Sequence, residues 1–489
     1  MRFLMARWLR GLAPTVLPSR TSVFTWAFFL WTALVAPVWA QDSVRIFSFA
    51  DYADLILKYH PVVRQADLIP ADARTELLQA RGMFDPKLTS DFSRKEYKDK
   101  EYYNHWENTL KIPTWTGIDL KAGYDRNTGP YINPQYYTPD AGLVYAGLSV
   151  PLAQGLLIDA RRSTLQQAKL LQNIAEADRQ KVINKTMYDA AKTYWDWYFA
   201  YQQFRFTADG LNLADIRYRA VKQRVEIGDL AAIDSVQAKI TVQERLASYQ
   251  AALLEFQNTR LGISNNLWNE NNEPVELPEN AIPGGVTIPE PTQEQLDELL
   301  ARASRQHPDL IKLDFKLRQL DIERRFRQNQ LLPTVNVNYN FIREPVAIGK
   351  SYDAGWWLTN NYKVGAEVSF PLFLRKERGK LQQVRIKQAD TQFDQQQTRR
   401  LITITVRQVF NEARALQQQA ETQGQATANQ LLLVRAEQQK FDIGESTLFL
   451  VNTQESKLID MQIKTESLRA KYAKAWANSL YAAGGNPQQ

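Results

Sequence analysis

Cysteine is absent from this 489-residue sequence, and histidine occurs only three times. Without cysteine the chain has no disulfide, no thiolate metal site, no cysteine nucleophile and no lipid attached through an N-terminal cysteine. His60, His105 and His307 show no partner pattern for acid–base catalysis, and no phosphate loop or nucleophile elbow occurs. We therefore expect no enzyme activity, cofactor or metal site, and a fold held together by packing alone.

Long apolar runs are also absent after the first forty residues. Those residues combine basic side chains with an apolar stretch from Val23 to Val35 and a cleavage-type site at Val38-Trp39-Ala40. This order predicts a signal peptide, 1–40, cleaved after Ala40. A membrane anchor is the alternative, but it needs roughly 20 apolar residues, more than this stretch supplies. The rest of the chain is then either soluble or inserted into a membrane as strands.

The net charge is low once the predicted signal peptide is removed. The formal charge is +7, and residues 1–40 contribute four positive charges and no negative one, which leaves +3. The four are Arg2, Arg7, Arg10 and Arg20. This balance gives no electrostatic case for binding nucleic acid.

One pattern occurs twice in the chain. The motifs of the first copy, His60-Pro61, Pro86, Val150-Pro151-Leu152 and Ile227-Gly228, return 216 to 247 residues later as His307-Pro308, Pro333, Phe370-Pro371-Leu372 and Ile443-Gly444. Copies this long indicate two equivalent blocks of one body, since the repeats of solenoids are roughly 20 to 50 residues long.

We place the first structural repeat at 41–263 and the second at 292–483. A polar, proline-rich connector, 264–291, joins them, and a disordered tail, 484–489, follows. Each repeat has the same predicted order of two short helices, strands and a long helical hairpin.

The first repeat is predicted to contain helices Phe49–Tyr59 and Val62–Met83 (irregular at Pro70), strands within about 87–152, and a hairpin over about 153–263 that bends at Gly228. The second is predicted to contain helices Thr292–Gln306 and Pro308–Gln330, strands within about 334–371, and a hairpin over about 375–483 that bends at Gly444.

The long hairpins carry apolar residues at the spacing of a coiled coil. The four seams are Ile183, Met187, Ala190, Tyr194, Trp197 and Tyr201; Leu246, Tyr249, Leu253, Phe256 and Ile263; Ile402, Val406, Val409, Ala413, Leu416 and Ala420; and Leu458, Met461, Thr465, Leu468, Tyr472 and Ala475. We interpret these seams as the packing of a wall and not as binding sites.

The strands are too few and too short to bury a core of their own. A strand edge cannot stay open in lipid, so we expect several protomers to close one barrel. Interfacial aromatic belts would come from Tyr97, Tyr102, Tyr103, Trp106, Trp115, Tyr136, Tyr137, Trp356 and Trp357. The alternative is that these aromatic residues pack a small soluble sheet.

The strand region of the first repeat is longer than that of the second. Pro86 and Pro151 are 65 residues apart, whereas Pro333 and Pro371 are only 38 apart, a surplus of 27. Two strands of about 9 to 11 residues fit into this surplus. We therefore predict an additional hairpin, with a turn at Thr116-Gly117, either within the barrel or outside it.

The duplicated order, the paired His-Pro motifs, the strand-closing prolines and the two Ile-Gly turns resemble the TolC-like outer-membrane efflux protein family, the outer membrane factors, from about Phe47 to Ala483. The resemblance implies a fold that is mainly α with membrane β. In that family, duplicated long α-helical hairpins form a periplasmic tunnel, and the strands contribute to a shared trimeric β-barrel.

The resemblance also implies a function and partners. The function is that of a passive exit duct in a tripartite efflux or type I secretion system, in the outer membrane of a Gram-negative bacterium with the helical part in the periplasm. The partners are two further copies of the chain in a homotrimer, a periplasmic adaptor (membrane fusion protein), an inner-membrane pump of the RND or ABC type that supplies the energy, and outer-membrane lipid.

A periplasmic gate at the hairpin turns is implied as well, and its candidates are Gly228, Asp234, Phe441, Gly444, Leu450 and Asn452. Asp234 stands six residues after Gly228, where the family places a carboxylate, and three copies would form a ring of like charges. An ordinary acid in the first turn of a helix is the alternative. The second repeat departs from the family, with Leu450 where a second Asp often stands and Ser446 where a gate-locking Arg can occur. We therefore expect a partly hydrophobic constriction.

A secreted or periplasmic coiled-coil scaffold without channel activity is the rival function. It explains the heptads but not the aromatic, alternating segments at the same place in both repeats. The class of cargo stays open among drugs, metal ions, polysaccharides and proteins.

Overall fold

The computed structural model describes residues 45–345 and 361–486. The predicted signal peptide, Trp356, Trp357 and the last three residues lie outside these ranges. In the described part of the chain, no helix is both long enough and apolar enough to cross a membrane.

The described elements confirm a fold that is mainly α with one substantial sheet. The first repeat contains β1 (Arg45–Phe47), α1 (Phe49–Tyr59), α2 (Pro61–Gly82), β2 (Lys87–Tyr97), β3 (Lys100–Pro113), β4 (Asp119–Thr128), β5 (Leu143–Pro151), α3 (Ala160–Glu226) and α4 (Ala232–Ser264). The connector and the second repeat contain β6 (Ala281–Pro283), α5 (Gln293–Gln306), α6 (Pro308–Asn329), β7 (Thr334–Arg343), β8 (Tyr362–Ser369), α7 (Arg375–Asp442) and α8 (Leu448–Ala482).

His60 and His307 each end one short helix and begin the next. The Nδ1 atom of His60 accepts a hydrogen bond from the N–H of Val62, and that of His307 from the N–H of Asp309, both at 3.2 Å. Each imidazole therefore caps the N-terminus of the following helix by accepting a backbone hydrogen bond, as Ser and Asp side chains do in other helices. The following proline fits the first helical position. The two His-Pro motifs thus build the same helix junction in both repeats.

Helix α2 continues through Pro70, and the helix is not interrupted there. Proline removes one backbone hydrogen bond, and Ala66 and Ala73, both buried, hold the helix on either side of it.

The long helices α3 and α7 contain 67 and 68 residues, which corresponds to about 100 Å each. Helix α3 begins at Ala160 and not at Ala153 as predicted. The Oδ1 atom of Asp159 accepts a hydrogen bond from the N–H of Arg162 at 2.8 Å and caps the helix there. Before it, Gly155 adopts a φ of 92°. Glycine tolerates this backbone angle, but an α-helix does not contain it, so the segment before Asp159 is a turn.

The sheet has the strand order β2-β3-β4-β5-β7-β8, with every neighbour antiparallel. The first repeat supplies four of these strands, so the predicted additional hairpin exists. Gly117, at a φ of 93°, lies in the turn between β3 and β4, as expected. The additional strands belong to the same sheet as the others.

The connector and the tail are more ordered than predicted. Strand β6 pairs in parallel with β1, and the hydroxyl of Tyr194 on α3 donates to the carbonyl of Phe47 at 2.8 Å while accepting from the N–H of Gly284 at 2.9 Å. Strands of three residues carry too little pattern to be recognised in a sequence. Residues 484–486 of the predicted tail are packed, since the Nδ2 atom of Asn184 donates to the carbonyl of Gly484 at 2.7 Å and Asn486 is buried.

Candidate functional site

The two hairpin tips have the same backbone geometry. Gly228 and Gly444 adopt φ values of 82° and 83°. The N–H of Asp229 donates to the carbonyl of Arg224, and that of Gly228 to the carbonyl of Val225, at 2.9 and 3.0 Å. The second tip repeats both hydrogen bonds at equivalent positions. This is the Schellman motif, in which glycine permits the left-handed residue that ends the helix.

Apolar side chains pack the two hairpins against each other near these tips. Val221 of α3, Ala238 of α4 and Leu448 of α8 form a buried cluster, and Leu230 and Phe441 pack on it. Phe441 is therefore part of a small core that contains residues of both repeats. The neighbouring Leu450 is 43 % exposed and lies outside this core.

Asp234 lies in the first turn of α4, where its Oδ2 atom accepts a hydrogen bond from the N–H of Ala231 at 3.2 Å. Ala231 is the N-cap and has no side-chain acceptor of its own, so Asp234 supplies one to the helix end. Within one protomer, the contacts are those of a first-turn acid. A ring of carboxylates requires further copies of the chain.

Arg217 of α3 connects the two hairpins about three turns from the tip. Its guanidinium forms a two-pronged ion pair with Glu455 of α8. It also donates to the Oδ1 atom of Asn452 at 3.1 Å and to the Oε1 atom of Gln438 on α7 at 3.0 Å. The Arg217 and Glu455 side chains are only 12 % and 13 % exposed. We call these four residues the Arg217 network.

Of these residues, the sequence indicated only Asn452 as a gate candidate, and it did not indicate Arg217 or Glu455. A signal was available, because Arg217 lies between the buried Ala214 and Val221 at seam spacing, and Glu455 lies between the buried Val451 and Leu458. A charge at a seam position of a coiled coil needs a partner across the interface.

The register of the sheet gives it one apolar and one polar face. On one face, cross-strand neighbours are apolar in successive rows: Leu88, Leu110, Ala122, Ala146, Phe341 and Tyr362 in one row, and Ile112, Leu120, Leu148, Tyr339 and Val364 in the next. The residues between them in sequence point to the opposite face, and they are Lys111, Lys121, Asn340 and Lys363, with Gly147 as the exception to their polarity. The sheet thus has the alternation required of a wall between lipid and water.

The apolar face and both edges of the sheet are open in the protomer. Leu88, Leu120 and Val364 are 71 %, 45 % and 59 % exposed. Every residue of β2 and of β8, the first and last strands in the order, is exposed. Such edges present unpaired backbone groups to whatever lies beside them.

Helix α4 carries a second apolar stripe that our sequence analysis missed. Part of the predicted seam faces α3, where the ring of Phe256 stacks on Phe204 and is tilted against Tyr201, but Leu246 is 40 % exposed. A further series recurs every seven residues and is exposed throughout: Ile233, Ile240, Ala247, Leu254 and Leu261. A heptad stripe without a partner in its own chain is suited to packing against another helix.

Of the predicted belt residues that are described, five lie at the two ends of the sheet, whereas Trp106 lies in the middle of β3 and Tyr103 lies on the polar face with Glu107 and Lys111. Trp115 is 79 % exposed in the turn next to the helices. Tyr97, Tyr102, Tyr136 and Tyr137 lie at the opposite end, in or near the turns that follow β2 and β4.

A duplicated chain in which long helical hairpins extend from an amphipathic sheet is a channel-type fold of helical tunnel and barrel strands. The model of the outer membrane efflux protein family matches residues 117–269 and 299–486, more than half of the chain. The chain belongs to this family. No curated protein matches it.

Three solved structures show the same fold. The outer membrane channel CmeC of Campylobacter jejuni is 15% identical with a TM-score of 0.59, and the match covers 90% of this chain and 87% of that one. VceC of Vibrio cholerae is 14% identical with a TM-score of 0.61 over 90% and 96% of the two chains. The open state of the MtrE channel of Neisseria gonorrhoeae is 15% identical with a TM-score of 0.61 over 89% of each.

Proposed function

We propose that three copies of this chain form a passive exit duct in the outer membrane of a Gram-negative cell. The sheet crosses the membrane, the helical hairpins extend into the periplasm, and the duct has no catalytic step or cofactor of its own. A periplasmic adaptor and an inner-membrane pump of the RND or ABC type deliver the cargo and the energy.

The observation that carries this proposal is the sheet with one uncovered apolar face and two open edges. Lipid would cover the apolar face, and the β2 edge of one copy would pair with the β8 edge of the next, which leaves no edge in the bilayer. Six strands from each of three copies give a barrel of 18 strands. The exposed heptad stripe of α4 supports the same assembly, because neighbouring copies would cover it.

The tips of the hairpins are the proposed periplasmic gate. Gly228 and Gly444 end the helices there, and the cluster with Phe441 closes the tip by apolar packing. In the trimer, three copies of Asp234 and of the half-exposed Leu450 would surround the mouth, with Asn452 held by the Arg217 network.

The absence of cysteine permits a direct test by cross-linking, because every thiol is then an introduced one. We would combine Thr89→Cys on β2 with one of three changes on β8: Lys363→Cys, Gly365→Cys or Glu367→Cys. Three partners are needed because the register between β2 of one copy and β8 of the next must be found by experiment. Oxidation of purified outer membranes should give a covalent trimer for at least one pair. The control pair Lys121→Cys and Glu367→Cys should give none, because β4 lies between β3 and β5.

Conductance completes the test. The purified trimer should form ion channels in planar lipid bilayers and resist extraction by carbonate. A chain that stays monomeric, is washed off by carbonate and conducts nothing would support the scaffold and end this proposal.

A further inference from the structure

The polar face of the sheet carries a row of lysines. The cross-strand register runs from Lys87 to Lys111 and Lys121, and then through Gly147 and Asn340 to Lys363. Four of the six strands therefore place a lysine in one cross-strand row. We call Lys87, Lys111, Lys121 and Lys363 the lysine row.

The positive charge of the lysine row is only slightly compensated. The Nζ atom of Lys111 lies 2.9 Å from the Oδ2 atom of Asp119, but Arg161 shares that carboxylate at 2.8 Å. Lys121 donates to the amide oxygen of Asn338 at 3.2 Å, which is a neutral partner. Among residues 45–345 and 361–486, no salt bridge joins Lys87 or Lys363 to a carboxylate, but Lys363 interacts electrostatically with Asp125.

Like charges directly opposite each other weaken a strand pair, and Lys111 faces a lysine on both sides. A bound anion would remove this repulsion. An anion with several charges would do so best, because one molecule could contact successive lysines of the row.

We propose that the lysine row is a binding site for polyanions that pass through the duct, such as chains that bear phosphate or carboxylate groups. The inference rests on the proposed function, because only a closed barrel turns the polar face inward. Three copies then bring twelve lysines into the lumen, in rows that climb with the tilt of the strands, and like charges in a narrow water-filled space concentrate the opposite ion.

The same face carries a matched control. Asp91, Glu107 and Asp125 are cross-strand neighbours four residues further along β2, β3 and β4, on the side away from the helices. Four residues of a strand correspond to about 13 Å. Neutralising Asp91 and Glu107 changes charge in the same lumen but leaves the lysine row intact. Asp125 is kept, because it interacts electrostatically with Lys363.

The test uses the full-length trimer in planar bilayers with inorganic tripolyphosphate added on the side of the sheet. Tripolyphosphate should reduce the chloride current of the native channel. The variant Lys87→Gln, Lys121→Gln, Lys363→Gln should need at least about tenfold more for the same block, and its reversal potential in a KCl gradient should shift toward cation preference. The control Asp91→Asn, Glu107→Gln should keep the block and shift the reversal potential the opposite way.

Block of equal strength in the native channel and in the lysine variant would overturn the inference while leaving the duct itself in place. A native chain that forms no channel would instead contradict the proposed function. If the triple variant fails to assemble, the single change Lys121→Gln on the interior strand β4 gives the same comparison, because Lys121 contacts only the neutral amide of Asn338. The variant with arginine at all three positions, which keeps the charge, should restore the block.

Discussion

Glycine is required at positions 228 and 444 because of the backbone conformation there, and not because a larger side chain would clash with its neighbours. Both have a φ above 80°, and a Cβ atom added to either would meet no atom within 4 Å. We expect Gly228→Ala or Gly444→Ala to lower the stability by about 1–2 kcal/mol, because a left-handed residue with a Cβ is strained. Thermal unfolding of the detergent-solubilised protein measures this change.

The control for this prediction is Gly424→Ala in the interior of α7, where an added Cβ also meets nothing. Here alanine should stabilise the helix by about 0.5–1 kcal/mol. Equal effects at the tip and control positions would contradict the assignment of a conformational role to the tip glycines.

His60 and His307 link the helix junctions to pH. Burial lowers the pKa of each imidazole below its usual 6.5; Lys181 adds to this at His307, where Asp309 opposes it, and a hydrogen bond with Asn266 opposes it at His60. A lowered pKa means that the unfolded chain binds more protons, so these groups stabilise the fold fully above about pH 6.5. Their contribution is lost as the pH falls from 6.5 through the lowered pKa values.

We therefore predict that the unfolding temperature drops between pH 7.5 and pH 5 by more in the native chain than in the variant His60→Asn, His307→Asn. Asparagine accepts the same N-cap hydrogen bonds but does not titrate. An identical drop in both proteins would show that other groups cause the pH dependence.

At the scale of elements, the Arg217 network is a polar contact between the two hairpins near the tips, beside the hydrogen bond of Arg245 to Ser456 at 2.6 Å. The ion pair with Glu455 is nearly buried, so removal of one partner leaves an uncompensated charge. Its exposed counterpart two residues further on α3 is Arg219 with Asp215, whose side chains are 70 % and 44 % exposed.

We expect Arg217→Gln to destabilise the packing of the tips by about 3–5 kcal/mol, and Arg219→Gln by less than about 1 kcal/mol. Amide hydrogen exchange of the segments around Gly228 and Gly444 measures the difference. Adding Glu455→Gln to Arg217→Gln should restore part of the protection, since it removes the unpaired charge. Slow exchange in Arg217→Gln would mean that the apolar cluster with Phe441 suffices alone.

At the scale of the whole molecule, the additional hairpin sets the width of the proposed duct. Deletion of residues 88–117 removes β2, β3 and the turn to β4 and leaves four strands per copy. Barrel diameter grows roughly in proportion to strand number, so a trimer with 12 strands should be about a third narrower. The largest polyethylene glycol that enters the channel from the side of the sheet should shrink accordingly.

The control keeps both strands and changes only their connection. Lys98 and Asp99 both have positive φ values, of 52° and 58°, so Lys98→Asn with Asp99→Gly suits this two-residue turn and should leave the polymer cutoff unchanged. A deletion variant with the native cutoff would place the additional hairpin outside the barrel.

Local signals in the sequence predicted the local structure of this protein. The His-Pro motifs, the Ile-Gly turns and the heptad seams act within one or two helical turns, so they can be recognised without knowledge of the fold. The surplus of 27 residues predicted the additional hairpin because strand length is set by geometry. The predicted start of α3 at Ala153 lies seven residues before the observed start at Ala160. The apolar segment before Asp159 continues the helical pattern of apolar residues but is not helical.

The sequence alone determined the duplication, the alternation of polar and apolar residues in the strands, and the residues at which helices begin and end. Each of these is recognised from short motifs or from residues close together in the chain. Only the tertiary structure decided which distant groups meet. It paired β1 with β6, it joined Arg217 to Glu455 across 238 positions, and it aligned four lysines from different strands in one row. The reason is physical: strand register and helix packing between repeats depend on the burial of the whole chain, and no short stretch of sequence encodes that.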